Sequence, residues 1–278
     1  MTTTSTTEPA TAPTLEQVKA KQQQTWSSGD YGRIAWLTNP LADVLVEAVD
    51  LRPGARVLDV ASGTGNVALA AARRFARVTS TDYVPALLDV GRARAAAESL
   101  SVEFQEADAE HLPFADDTFD YTLSAIGAMF APDHERTACE LVRVTKPGGV
   151  VGTLNWTPTG FVGELLATVG RYAPPPAGVV PPPRWGTTEH QHELFDDAVT
   201  DLTFTEGTIT QRYETPEHIA DFFVDHYGPT LKAAASLDAD GQQAFRADLA
   251  ALGERFNRAT DGTLVCDWAY LVASGRKR

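Results

Sequence analysis

The stretch Val57-Leu58-Asp59-Val60-Ala61-Ser62-Gly63-Thr64-Gly65-Asn66 decides the fold of this 278-residue chain. It opens as an apolar strand carrying one acid, passes through a glycine turn, and reaches a helical pattern at Asn66. A second apolar strand over 76–80 ends near Asp82, seventeen residues after Gly65. Strand, glycine turn, helix and an acid closing the next strand are how a doubly wound α/β fold holds a nucleoside. The glycines let the backbone approach a ligand closely, and the acid can accept hydrogen bonds from ribose hydroxyls.

Read outward from that turn, strands are expected over 56–60, 77–81, 102–106, 119–124 and 150–155, with helices over 66–74, 85–98 and 134–144. Such alternation predicts a parallel sheet covered on both faces. Upstream, Thr14 is placed to cap a helix over 15–26, and Pro40 to start another that runs to about Val49. From Trp156 to about Asp197 the alternation stops, and the segment holds Pro174-Pro175-Pro176 and Pro181-Pro182-Pro183. An inserted lid is preferred to an interdomain linker, because β-forming runs resume at 201–213 and 263–274, with helices over 216–227 and 237–257 between them.

The expected fold is therefore a Rossmann-like, doubly wound α/β sheet of seven strands, parallel but for an antiparallel C-terminal strand, with a helical lid inserted after the fifth strand. Its expected parts are a disordered tail (1–13), N-terminal helices covering the site (14–50), a binding core (51–157), a substrate lid (158–200) and the completion of the sheet (201–278).

Composition narrows the partners. The formal net charge is −14, which disfavours nucleic acid or an anionic membrane surface as the main partner. Hydrophobic residues make up 43% of the chain, sufficient for a sizeable core. Cys139 and Cys266, the only cysteines, are read as reduced core thiols. The sequence has no apolar run of the ~18 residues a membrane span needs, and its first residues lack an apolar signal core. A cytoplasmic protein is expected.

The turn itself discriminates among nucleoside ligands. A dinucleotide fingerprint wants a third glycine where Ala68 stands. No phosphate-binding Gly-x-x-x-x-Gly-Lys-Ser/Thr loop is present, and no lysine or arginine lies near the turn to neutralise a pyrophosphate. Asp59 would repel one, and suits a cationic ligand with an amino group. Asp108-Ala109 follows the third strand, where it can meet an adenine edge. Asp120 begins the fourth strand, which leads into Ala125-Ile126-Gly127, and Lys146-Pro147-Gly148-Gly149 turns into the fifth.

Together these motifs resemble the class I S-adenosylmethionine-dependent methyltransferases, and most of all the ubiquinone/menaquinone-biosynthesis type with its actinobacterial small-molecule relatives. The motifs that carry the likeness are LDVASGTG (58–65), TDYVPALL (81–88), EADAEHLPFADDTFD (106–120) and RVTKPGG (143–149). The likeness is strong over 40–157 and weaker in the lid, where NWTPTGF (155–161) is familiar, as are YGPT (227–230) and RFNRATDGT (255–263). Ala61 departs from the pattern, since many relatives carry glycine there.

The resemblance implies S-adenosylmethionine as methyl donor and S-adenosylhomocysteine as product. It implies that Gly63 and Gly65, with Ala61 and Thr64 in the same turn, lie against the donor. Asp59, directly or through a water, would take the methionine amino group. Asp82 would hold the ribose hydroxyls and Tyr83 would cover the adenine. Asp108 and Ala109 would meet its edge, Ser124 would line the methionine side, and Gly127 and Met129 would lie nearer the methyl group. Trp26 and Tyr31 would gate the site from the N-terminal helix.

Methyl transfer needs a nucleophile held in line with the S–C bond and water excluded. A hydroxyl acceptor would gain from a general base, for which His226 is the first candidate, ahead of His190 and His192. An alkene acceptor would gain from aromatic walls, for which Trp26, Tyr31, Trp156, Phe161, Trp185, Phe222, Phe223 and Tyr227 are candidates. The His190-x-His192-Glu193 run has strand-like metal spacing but no evident fourth ligand, so no metal is expected. The expected acceptor is a small apolar or aromatic molecule of the natural-product kind. Oxygen is the first choice of acceptor atom, then carbon or nitrogen, including a prenyl or quinone-type acceptor. The other readings are a donor-binding cyclase or scaffold without transfer, a nicotinamide oxidoreductase, and methylation of protein or nucleic acid. The N-terminal helix could also pack across a second copy, giving a homo-oligomer.

Overall fold

The structure, a computed structural model, describes residues 13–176 and 178–278. Apart from Pro13, the expected tail lies outside the described residues. Seven strands form one sheet: β1 (Arg56–Val60), β2 (Arg77–Asp82), β3 (Val102–Glu106), β4 (Phe119–Ala125), β5 (Thr145–Trp156), β6 (Val199–Tyr213) and β7 (Leu264–Lys277). Their spatial order is β3-β2-β1-β4-β5-β7-β6. β7 runs antiparallel to both β5 and β6, and the other neighbouring pairs are parallel. Val57 pairs with Val78 on one side and Tyr121 on the other, so β1 is fully internal. Val57, Leu58 and Val60 are completely buried, as a parallel strand covered on both faces requires.

Helices cover both faces. They are α1 (Leu15–Trp26), α2 (Tyr31–Ala48), α3 (Asn66–Ala72), α4 (Pro85–Ala97), α5 (His134–Val144), α6 (Phe161–Tyr172), α7 (Thr188–Phe195), α8 (Pro216–His226), α9 (Gly228–Ala235) and α10 (Ala239–Phe256). Thr14 caps α1 in a full capping box: Gln17 N–H donates to the Thr14 hydroxyl at 3.3 Å, and Thr14 N–H donates to Gln17 Oε1 at 3.0 Å. Among the described residues no helix is long and apolar enough to cross a membrane.

The structure corrects four expectations. α2 begins at Tyr31, not at Pro40, which sits inside it. Asp30 caps that start by accepting from Arg33 N–H, and burial of Leu37, Leu41 and Leu45 holds the helix despite the donor that Pro40 lacks. The Tyr227-Gly228-Pro229-Thr230 run opens a separate helix, α9, with proline in its first turn. His190 and His192 lie on helix α7, where a spacing of two puts them on different sides. His190 is buried and meets His134 at 2.9 Å, whereas His192 is exposed and meets Asp196 at 2.8 Å. Finally, both cysteines are free, but only Cys266 is buried; Cys139 is on the outer face of amphipathic α5.

Between β5 and β6 the chain forms α6, a short 3-10 turn over Pro182–Gly186, and α7. α6 buries Phe161, Val162, Leu165 and Val169, one helical face. The proline triplets lie between the helices or at the 3-10 turn.

Candidate active site

The strand order reverses between β1 and β4, and the crevice beyond their C-terminal ends is where an open α/β sheet binds its ligand. Two left-handed residues shape it. Ala61 has φ +51° and Ile126 has φ +56°, a conformation that costs a non-glycine residue about 1–2 kcal/mol. They stand side by side because Gly127 carries no side chain: a Cβ there would lie 2.1 Å from the Ala61 carbonyl oxygen. Gly63 is also left-handed, and a Cβ there would meet nothing within 4 Å.

Two buried acids hold the turn. Asp82 accepts from Gly63 N–H at 2.8 Å and from Val84 N–H at 2.9 Å, tying the turn to the end of β2. Asp59 accepts from Ala68 N–H at 2.8 Å through Oδ2, while its buried Oδ1 has no partner. Burial pushes the Asp59 carboxyl up to about 8; the Ala68 N–H opposes this and the Asp82 charge adds to it. Burial raises Asp82 to about 6 against the pull of the Val84 and Gly63 N–H groups. From α4, Arg94 donates to the Thr64 carbonyl at 2.8 Å and to Asn66 Oδ1 at 2.8 Å. Asn66 in turn donates to the Ala35 carbonyl of α2 at 3.0 Å.

Helix α1 lies across this crevice. Lys19 bridges Asp108 and Glu110 at 2.6 and 2.8 Å. Gln22 donates to the Phe130 carbonyl, and its buried Oε1 is unpartnered. Gln23 donates to the Tyr83 carbonyl. Beneath lie two adjoining cavities of about 720 and 840 Å³ of atom-free space, mouths included. The first is walled by Gly63, Asp82, Tyr83, Asp108, Ala109 and Gly127 together with α1. The second is walled by Asp59, Thr64, Ile34, Trp156, Val162, Leu165, Phe223, Tyr227 and Trp268. Trp26, Tyr31, Ala61, Gly63, Ile126 and Phe130 line both.

Most residues singled out from the sequence converge here, but several do not. Gly65 caps α3 behind the turn in a left-handed conformation. Ser124 is spent internally, donating to the Val60 carbonyl at 2.7 Å and accepting from Ala128 N–H at 2.9 Å. Met129 is fully buried and lines neither cavity. Phe161 lies one layer back, stacked on Trp268 at 5.5 Å. Trp185 is completely buried against His134 and Phe195, and Phe222 packs on Trp36 and Tyr213, so neither reaches a cavity. His226, the first candidate for a base, lines neither cavity, because its ring is held at 5.0 Å from Phe222 on its own helix.

The sequence reading missed Lys19, Gln22, Phe130, Arg94 and Trp268. Lys19, Gln22 and Trp26 recur at spacings of three and four along α1, a signal that one face of that helix covers something. No local signal marks Trp268 or Phe130, which reach the cavities through tertiary packing.

Comparison with known proteins settles the family. A methyltransferase domain family matches residues 58–152. The uncharacterized protein Rv1405c of Mycobacterium tuberculosis is 41% identical over 266 residues, covering 95% of this chain and 96% of that protein. This chain belongs to the class I S-adenosylmethionine-dependent methyltransferases. A demethylmenaquinone methyltransferase of Deinococcus radiodurans is 36% identical to the methyltransferase over 129 residues, 45% of this chain and 54% of that one. The crystal structure of YcgJ from Bacillus subtilis shares the fold, with a TM-score of 0.58 at 19% identity, covering 85% of this methyltransferase and 97% of that chain. The methyltransferase uses S-adenosylmethionine as its methyl donor.

Proposed function

We propose that this methyltransferase transfers its methyl group to a small apolar or aromatic molecule, of the natural-product kind, held in the second cavity. The observation that carries the reading is the continuity of the two cavities. The first holds the carboxylates of Asp82 and Asp108 at the strand ends, the second adds to the β1 turn the side chains of Ile34, Trp156, Val162, Leu165, Phe223 and Trp268, and six residues belong to both. The nucleoside end of the donor therefore sits in the first, its methionine end reaches Asp59 and Thr64 at the near end of the second, and the acceptor takes the apolar remainder of the second.

The first cavity and the adjoining end of the second fit the donor on three counts. Gly63 leaves open space at its wall. Asp59 keeps a buried oxygen with no partner, a place for a cationic amino group or a water that serves it. Asp82, although engaged by two backbone N–H groups, keeps lone pairs on each oxygen for ribose hydroxyls. Gly63 and Ala61 lie along the donor, Tyr83 covers the base, and Asp108 with Ala109 meets its edge. When bound, S-adenosylmethionine supplies an electrophilic methyl group on a charged sulfur. The protein contributes position and dryness: α1 and the rings of Trp26, Tyr31 and Phe130 shut out water, and the acceptor wall fixes the angle of approach.

The test is transfer of labelled methyl from S-adenosylmethionine into fractionated extracts of a host carrying the gene. Label in an organic-extractable small molecule is the expected result, and mass spectrometry then gives the acceptor. Label confined to protein or nucleic acid would overturn the acceptor class.

A further inference from the structure

At the junction of the two cavities stands a ring of aromatic side chains. Trp26, Tyr31 and Phe130 line both cavities and Tyr227 lines the second. Their centroids are close: Trp26 to Phe130 4.8 Å, Trp26 to Tyr31 5.8 Å, Trp26 to Tyr227 6.0 Å and Tyr31 to Tyr227 6.4 Å. On the first-cavity side Lys19 is engaged by Asp108 and Glu110. No lysine, arginine or histidine lines the second cavity among the described residues, and its one carboxylate is Asp59. Residues 1–12 contain no lysine, arginine or histidine either.

This wall discriminates among acceptor atoms. A carboxylate or phosphate on the acceptor would be buried with no cation to meet it, at a prohibitive desolvation cost. A hydroxyl must give up its proton to a base, and a carbon acceptor must give one up afterwards. The second cavity offers no histidine for either task, and its carboxylate, Asp59, is assigned above to the donor's amino group. The hydroxyls of Tyr31 and Tyr227 are raised by burial, so neither is ionised to act as a base. A nitrogen needs no base inside the cavity, because an amine can leave its proton in bulk water and enter as the neutral form, whose lone pair is free.

We propose that the acceptor is an apolar amine, and that the aromatic ring around the junction receives the positive charge that transfer places on its nitrogen. The inference rests on the donor and acceptor cavities assigned above. The nitrogen lone pair forms the N–C bond as the C–S bond breaks, with the bonding electrons passing to sulfur. The charge moves from sulfur to nitrogen. A tertiary amine that has left its proton to water before entering loses none on transfer, and a secondary amine, entering in the same way, yields an ammonium that gives its proton to water after release. Ring faces attract a cation without hydrating it, and the effect is largest where water is excluded.

The test needs no knowledge of the natural acceptor. Binding of S-adenosylhomocysteine to the full chain is established first by calorimetry; its failure would overturn the donor reading and not this one. Benzyltrimethylammonium and neopentylbenzene, which has carbon in place of the charged nitrogen, are then titrated into the saturated protein while tryptophan fluorescence is followed. The ammonium is expected to bind roughly tenfold more tightly than its neutral twin. With S-adenosylmethionine in place of the product, the ammonium is expected to weaken several-fold through repulsion by the charged sulfur, and the neutral twin to stay the same. Tyr227→Leu should narrow the preference for the ammonium. Equal or tighter binding of the neutral compound, failure of the ammonium to bind, or the same ammonium affinity with both donors would overturn the proposal.

Discussion

The first cavity takes its floor from the loops that end β1, β2, β3 and β4, whereas the second adds to the β1 turn a wall from α2, α6, α8, β5 and β7. The donor side is made of short segments whose own turn chemistry fixes them: left-handed glycines, a carboxylate capping a turn, an acid at a strand end. The acceptor side is made of single residues from elements more than two hundred positions apart, brought together only by packing. Ile34 and Trp268 share a wall although nothing local in either segment foretells it. The two halves of one reaction are thus specified at different levels, one by local backbone chemistry and the other by the tertiary fold.

The largest effect is expected when the donor side alone is struck. Asp82→Ala removes the acceptor for two backbone N–H groups and the partner proposed for the ribose. S-adenosylhomocysteine affinity is expected to fall on the order of a hundredfold, about 3 kcal/mol, which is two charge-assisted hydrogen bonds' worth. Phe223→Leu, on the acceptor wall, should leave that affinity within about twofold, the small change expected when a residue makes no contact with the ligand. Calorimetry on both variants decides; equal losses would mean the cavities are not separable in function.

Gly127→Ala tests whether the two left-handed turns are interlocked. The new Cβ would lie 2.1 Å from the Ala61 carbonyl, so one turn must move. A loss of about 1–3 kcal/mol in folding stability is expected, as for other overpacked sites, with weaker donor binding because Ala61 and Gly63 move together. Gly63→Ala provides the contrast: its Cβ meets nothing within 4 Å, so stability should change little beyond the conformational cost while donor binding suffers. Chemical denaturation alongside ligand titration separates the two outcomes.

The buried acids give the comparison a pH axis. Asp59 is raised to about 8 and Asp82 to about 6, both from an ordinary value of 3.8. The native state thus holds protons that the unfolded chain has released. The stability they contribute is fully present below about pH 4 and is lost as pH rises through 6 and then 8. Donor binding draws on the ionised carboxylates, so it should release protons and strengthen over the same interval, by up to about 1.4 kcal/mol per pH unit for one proton. Melting temperatures of free and S-adenosylhomocysteine-bound protein between pH 5.5 and about 8.5 would show it. The ligand-induced shift should widen as pH rises, and a constant shift would sink the idea.

These contrasts also explain what was legible beforehand. The run from Val57 to Asn66 announced β1, the turn and α3 almost to the residue, because each step has its own local cause. Asp59, Gly63, Asp82 and Asp108 could be named from spacing and resemblance. Arg94 could not: it reaches the turn from α4, thirty residues from Thr64, and no pattern in its own helix marks that reach. Pro40 misled because proline usually begins a helix, and here buried leucines on both sides override its missing donor. Trp185 misled because it groups with the aromatic candidates for the acceptor wall, whereas the chain folds it completely inward against His134 and Phe195.

His226 gives the smallest expected effect and the cleanest check of the acceptor side. A histidine at the end of a helix near a cavity invites the role of base, but its ring packs on Phe222 and away from both cavities. Its tie to the site is through the main chain, where its carbonyl accepts from Asp30 N–H at 2.9 Å and so anchors the start of α2. His226→Ala keeps that carbonyl. Turnover with the acceptor fraction should stay within about twofold of the parent, against the 10²–10⁴-fold loss that removal of a general base brings. A loss of that larger size, with S-adenosylhomocysteine binding intact, would place a base on the acceptor side after all, and with it an oxygen acceptor in place of the amine.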